Sequence, residues 1–258
     1  YAATEKGTAT FEELGRKRGE GWGAGWYWID TVIMILADII LGTRNIQTSF
    51  NASKDANGLC QGGLGYGVAS MPSWNEYNGY HPVVPYSAGV ELGDALGVGS
   101  YAVKKSDGTV VYNAPIPCFF GLKNPYGHLW TGKNRIVAVI NADGSYTFYV
   151  AKSSLTEWKY SDNMLKVGTI LPSTPDTWNY IKRINFQGLA GMPSEDGATS
   201  ATYRSDGCYF QKTTSGFRSP LGSGDAGDGG LDGLACFDGD FAPSNSYAIL
   251  SSPLCECV

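Results

Sequence analysis

Gly121-Leu122-Lys123-Asn124-Pro125-Tyr126-Gly127-His128-Leu129-Trp130 stands between two segments that both read as β-hairpins turned by Asp-Gly. On its N-terminal side, residues 100–104 and 109–112 flank Ser106-Asp107-Gly108; on its C-terminal side, residues 135–140 and 146–150 flank Asn141-Ala142-Asp143-Gly144. Further on, short apolar runs at 181–186, 208–210, 234–237 and 247–250 are divided by glycine- and serine-rich turns. The whole second half therefore reads as strands joined by turns.

Upstream the period changes. Over 26–41, Ile29, Val32, Ile33, Leu36, Ile39 and Ile40 recur at spacings of three and four and Gly42 follows, which predicts a helix with a broad apolar face. Asp30 and Asp38 interrupt it, and the apolar run is shorter than the roughly 20 residues of a membrane span, so a buried core helix is expected and membrane insertion is not. Before it, Thr10-Phe11-Glu12-Glu13 reads as a capping box opening a short helix to about Arg18, broken by the glycines of 19–23. Gly42-Thr43-Arg44-Asn45 reads as a tight loop carrying structural hydrogen bonds. Residues 51–99, rich in glycine, proline and tyrosine without a sustained period, read as a loop insertion.

These elements predict an α+β fold with two N-terminal helices, short antiparallel strands and long glycine-rich loops. With no internal repeat of fixed period and no long linker, a single domain over 1–258 is expected. The 35 glycines and only 17% charged residues, against about a quarter on average, point the same way. Loop-rich globules commonly carry binding sites.

A net charge of −5, with no run of interleaved basic and aromatic residues, excludes nucleic acid as an expected partner. The six cysteines, Cys60, Cys118, Cys208, Cys236, Cys255 and Cys257, are sparse and irregularly spaced, and none form Cys-x-x-Cys. With His81 and His128 the only histidines, a structural zinc site has few ligands to draw on.

Three stretches together resemble one family. They are the helix pair ending in Gly42-Thr43-Arg44-Asn45-Ile46-Gln47, the central 121–130 motif, and the tail from Gly233-Leu234-Ala235-Cys236-Phe237 through Pro243-Ser244-Asn245-Ser246. They are similar to the C-type-lectin-like, formylglycine-generating-enzyme-like domains of bacteriophage tail proteins and of retroelement-diversified variable proteins in gut bacteria and their phages. The family's central motif reads Gly-x-x-Asn-x-x-Gly-Asn-x-Trp; this chain keeps Gly121, Asn124, Gly127 and Trp130, with His128 in place of the second asparagine. The motif's role is to turn the chain and seat a tryptophan in the core, so Trp130 is read as a fold marker.

The resemblance implies a C-type-lectin-like fold whose stretch 222–257 is a variable ligand-binding region, although Ala226 and Pro253 stand where the family favours tryptophan and arginine. In diversified members the varying positions have adenine-containing codons. Asp225, Gly227, Asp228, Leu231, Cys236, Asp238, Asp240, Phe241, Tyr247 and Ile249 fit such an origin and are the candidate ligand contacts, interspersed with steady Gly233, Leu234, Pro243 and Ser244. Phe241 and Tyr247 are candidate aromatic anchors, and the carboxylates of Asp225, Asp228, Asp238 and Asp240 favour a ligand bearing positive charge or hydrogen-bond donors. The implied role is a receptor-binding adhesin at a phage tail tip or on a bacterial surface. Its expected partner is a host cell-surface protein or glycan; a homotrimer and neighbouring tail proteins are further expected partners.

Two other readings of the same residues are weaker. Residues 223–232 superficially resemble glycine-aspartate calcium repeats, but one imperfect unit lacks the stacked copies that architecture needs and no EF-hand spacing is present. Calcium aside, no cofactor or metal is expected. A formylglycine-generating-enzyme-like oxidase would use a cysteine pair, yet Cys255 and Cys257 are closely spaced with no evident basic neighbour to lower a thiol pKa. His81 lies in a Tyr-His-Pro loop and His128 inside the motif, so no nucleophile–base–orienter set stands out and no catalytic residue is expected. A structural tail subunit without ligand is the remaining alternative.

Overall fold

The computed structural model describes residues 7–46, 96–105, 107–153, 155, 158–213, 215–225, 228–247, 249–252 and 254–256. Most of the expected 51–99 insertion, together with Cys60, His81, Ala226, Gly227, Pro253 and Cys257, lies outside the described residues.

The first helix, α1, spans Thr8–Arg16 and opens on Gly7 with no side-chain cap. Thr10 is therefore inside the helix, its N–H donating to Gly7 O at 2.9 Å, and the expected capping box does not form. Glu13 instead reaches one turn forward to Lys17 at 2.8 Å. The constrained glutamate is its neighbour: Glu12 is buried, accepts the Ala24 N–H at 3.1 Å, and faces Arg135 at 3.6 Å. The Arg135 guanidinium in turn lies 3.2 Å over the Trp26 ring, so α1 and the entry to the next helix are tied to the middle of the chain.

The second helix, α2, covers Tyr27–Leu41 as the periodicity predicts, and Gly42 ends it in the left-handed conformation that a residue without Cβ adopts freely. Burial is one-sided. Thr31, Met34 and Ala37 face the core, whereas Leu36, Ile39 and Ile40 are exposed, so the expected core helix is buried along one face only. Its two carboxylates hold buried cations: Asp30 pairs with Lys133 at 3.0 Å and Asp38 takes two hydrogen bonds from Arg204. The loop after it behaves as read, with the Asn45 N–H donating to Thr43 Oγ1 at 3.1 Å and its Nδ2 to Ser205 Oγ at 3.2 Å. Among the described residues no helix is long and apolar enough to cross a membrane.

The strands in chain order are β1 (Trp22–Ala24), β2 (Gly97–Lys104), β3 (Val110–Phe119), β4 (Leu122–Lys123), β5 (Trp130–Gly132), β6 (Ile136–Ile140), β7 (Tyr146–Val150) and β8 (Leu165–Ile170). They continue as β9 (Asn179–Asn185), β10 (Met192–Ala198), β11 (Gly207–Tyr209), β12 (Gly216–Arg218), β13 (Leu221–Gly222), β14 (Phe237–Asp238), β15 (Leu250–Ser251) and β16 (Leu254–Glu256). Both Asp-Gly hairpins form, as β2–β3 and β6–β7. Phe237 is the only residue of the apolar run 234–237 to lie in a strand; Leu234 and Ala235 form a turn before β14. The described residues form an α+β arrangement with two α-helices and four sheets.

The main sheet runs β10-β9-β11-β14-β13-β5-β15, and its β11/β14 and β5/β15 pairs are parallel, so this sheet is mixed, whereas the described pairs of the other three sheets are antiparallel as expected. The principal core gathers Ile136, Tyr146 and Phe148 from β6 and β7 with Met34 of α2 and with Phe210 and Phe237. A smaller cluster of Trp130, Leu221, Cys236 and Leu250 lies under the C-terminal loops, with Trp178, Phe241 and Ile249 packed against it.

The central motif joins these parts. Gly121, Asn124 and Gly127 all take positive φ, which turns the chain twice within a few residues. It then zips onto the tail: the Gly127 N–H donates to Ser223 O and the Trp130 N–H to Ile249 O, both at 2.9 Å. Trp130, 3% exposed, stacks on Trp178 with centroids 6.0 Å apart.

Candidate functional site

The tail divides by burial. Residues 222–225 and 232–239 are interior, whereas 240–247 run across the smaller core cluster and leave a cleft of about 520 Å³. Its floor and one wall are Asp240, Phe241, Ala242 and Ile249, with Asn245 and Tyr247 on the loop. Gln211, just beyond β11, and Arg218, the last residue of β12, complete it.

Short polar loops hold these side chains. Ser219 N–H donates to Phe241 O at 2.8 Å, fixing the β12 end against the loop, and the Tyr146 hydroxyl donates to Gln211 O at 2.7 Å. Asn245 closes its own turn: its Oδ1 accepts the Ala242 N–H at 2.6 Å and its backbone N–H donates to Ala242 O at 2.9 Å. Phe241 packs inward, and Tyr247 stands 49% exposed with its ring at 86° to that of Phe241, centroids 5.9 Å apart. Arg218 donates through Nη2 to Gln211 Oε1 at 2.6 Å and through Nη1 to Phe217 O at 3.1 Å, and its Nε lies 4.0 Å from Asp240 Oδ1. Burial pushes the Asp240 carboxyl above its ordinary range; the Arg218 charge draws it down and the Asp176 carboxylate adds to the rise.

Of the ten residues picked from the sequence, Asp240, Phe241, Tyr247 and Ile249 share this cleft. Asp225, Cys236 and Asp238 are buried, at 1%, 0% and 7% exposed, and lie outside the cleft lining. Asp238 Oδ1 accepts the Asp240 N–H at 2.8 Å, and burial lifts its carboxyl to about 8. Asp228 Oδ2 accepts the Asp225 N–H at 3.1 Å, closing the loop on itself. Leu231 covers Gly207 beside Trp178, away from the cleft lining, and Gly227 lies outside the described residues. Arg218 and Gln211 escaped the sequence reading because they are brought in by β12 and β11 from outside the tail. Asn245 carried a legible signal, the turn composition of Pro243-Ser244-Asn245.

Asp225 is interior, Asp228 is turned onto a backbone amide, and among the described residues no three His, Cys, Asp or Glu side chains gather as a metal site. A separate cavity of about 320 Å³ between α2 and the central motif, bordered by Ile29, Ile33 and Leu122, contains none of the residues picked from the sequence. No protein-family model and no curated protein matches this chain.

Proposed function

We propose that the chain is a ligand-binding module whose Phe241–Tyr247 cleft takes part of a host-surface molecule. One observation carries the reading: four residues chosen from the sequence alone, Asp240, Phe241, Tyr247 and Ile249, line the same cleft of about 520 Å³. Apolar walls with a few convergent polar groups are what small binding sites share. The side chains are preorganised by Asn245, Ser219 and the smaller core cluster, so little conformational freedom is lost on binding.

The resemblance of the 121–130 motif and the tail supports a C-type-lectin-like domain of a phage tail tip or bacterial surface, with a host protein or glycan as partner and a homotrimer as the assembly. Binding is preferred over an oxidase-like activity because Cys255 and Cys257 are closely spaced in sequence with no evident basic neighbour to lower a thiol pKa. The side chain of Cys255 and the whole of Cys257 lie outside the described residues. The test is attachment of the purified protein to host cells: Tyr247→Ala abolishes it in a folded protein, and unchanged attachment overturns the reading.

A further inference from the structure

We infer that the cleft accepts a trimethylammonium group, seated in the corner between the Phe241 and Tyr247 rings with the Asp240 carboxylate as its counter-charge. The inference rests on the cleft being the binding site. Two rings at 86° with centroids 5.9 Å apart form two adjacent walls of a box, and Tyr247, half exposed, leaves its ring open to a ligand. Aromatic faces attract cations, most strongly when the cation is desolvated, and methylated ammonium groups are the kind that such corners hold.

The polar groups of the cleft select among cations. A primary ammonium carries three N–H donors and a tightly held hydration shell, so burying it requires acceptors. Here the Asn245 Oδ1 already accepts the Ala242 N–H and the Gln211 Oε1 already accepts Arg218, which leaves the Asp240 carboxylate as the principal acceptor for three N–H donors. A trimethylammonium group has no N–H to satisfy and presents methyl groups to Ala242, Phe241 and Ile249. Its charge meets a carboxylate that Arg218 leaves incompletely compensated. The Arg218 Nε stays 4.0 Å away, its Nη atoms are engaged elsewhere, and its side chain is only 16% exposed. The upward displacement of the Asp240 carboxyl despite Arg218 agrees with this balance, and Asp176 adds further negative potential on the same side.

The experiment is a calorimetric titration of the intact chain with choline chloride and with its neutral isostere 3,3-dimethyl-1-butanol. Choline is expected to bind at least about tenfold more tightly than the isostere, and Tyr247→Ala and Asp240→Asn each weaken it about tenfold. Phosphocholine and a trimethyl-lysine peptide then distinguish the source of the group, the tighter of the two naming it. Equal binding of choline and the isostere, or undiminished binding by folded Asp240→Asn, overturns the inference. If no probe binds while Tyr247→Ala still abolishes host attachment, the trimethylammonium assignment fails and the cleft remains the binding site. If Tyr247→Ala leaves attachment unchanged, both fail.

Discussion

Lys133 Nζ lies 3.0 Å from Asp30 Oδ2, in a space that Gly222 leaves open: a Cβ on that glycine would come within 2.2 Å of Lys133 Cε. The pair joins α2 to the turn after β5 and passes under β13, where the tail begins. An ammonium 5% exposed at the residue level depends on its carboxylate partner.

Asp30→Asn should destabilise the fold by about 3 kcal/mol, the lower end for breaking a buried pair because a quarter of the Asp30 side chain is exposed. Adding Lys133→Met removes the stranded charge and should recover most of the loss. Urea denaturation of both variants checks this, and a double variant no more stable than Asp30→Asn would show that the pairing is not the cause.

Asp206 is 1% exposed, its Oδ2 accepting the Ala235 N–H at 2.9 Å, and burial lifts its carboxyl from 3.8 to about 8. Asp238 is lifted to about 8 by the same cause. The folded protein thus keeps protons that the unfolded chain has released, so unfolding liberates protons throughout that window. The contribution of these two groups is fully present below about pH 4, falls as pH rises toward about 8, and levels off above, with a slope of up to about 1.4 kcal/mol per pH unit for each group. Asp206→Asn should remove one group's share of the slope while keeping an oxygen for Ala235. Denaturation midpoints across pH 4–9 read the slope directly, and a stability that rises over the window contradicts the assignment.

Gly233 lies where a Cβ would stand 1.9 Å from Asp206 Oδ1, whereas a Cβ on Gly230 meets nothing within 4 Å. Gly233→Ala is expected to cost roughly 2 kcal/mol or more, because the carboxylate is buried and already bonded to Ala235 and cannot swing aside. Gly230→Ala should stay within about 0.5 kcal/mol. Thermal melts of the pair separate a packing requirement from general intolerance of the tail, and equal losses would count against it.

Phe241 and Tyr247 should separate stability from binding. Phe241 packs on the cluster around Trp130, so Phe241→Ala is expected to lower stability by about 1–3 kcal/mol. Tyr247, half exposed, should cost less than about 1 kcal/mol when truncated while weakening ligand attachment at least about tenfold. A Tyr247→Ala protein that loses its fold would show that the ring is structural.

The α2 helix, its stop at Gly42 and the two Asp-Gly hairpins were legible in the sequence because each depends on local causes: side-chain period, a residue that tolerates positive φ, and a two-sided turn. The cleft lined by Asp240, Phe241, Tyr247 and Ile249 was legible only as part of the stretch 222–257. Glu12 and Glu13 are adjacent and chemically alike, yet only Glu12 is buried, because Gly23, Ala24 and Arg135 lie on its side of α1. Asp238 and Asp240 likewise share a strand end and differ in exposure, one beneath the loop and one on its surface. Arg218 and Gln211 reach the cleft through pairings of β12 with β6 and of β11 with β9 and β14, and no spacing in the chain encodes such encounters. The sequence by itself determined the α2 helix, its stop at Gly42 and the two Asp-Gly turns. The tertiary structure alone decided which side of each element is interior, because burial is set by the partner that packs on it.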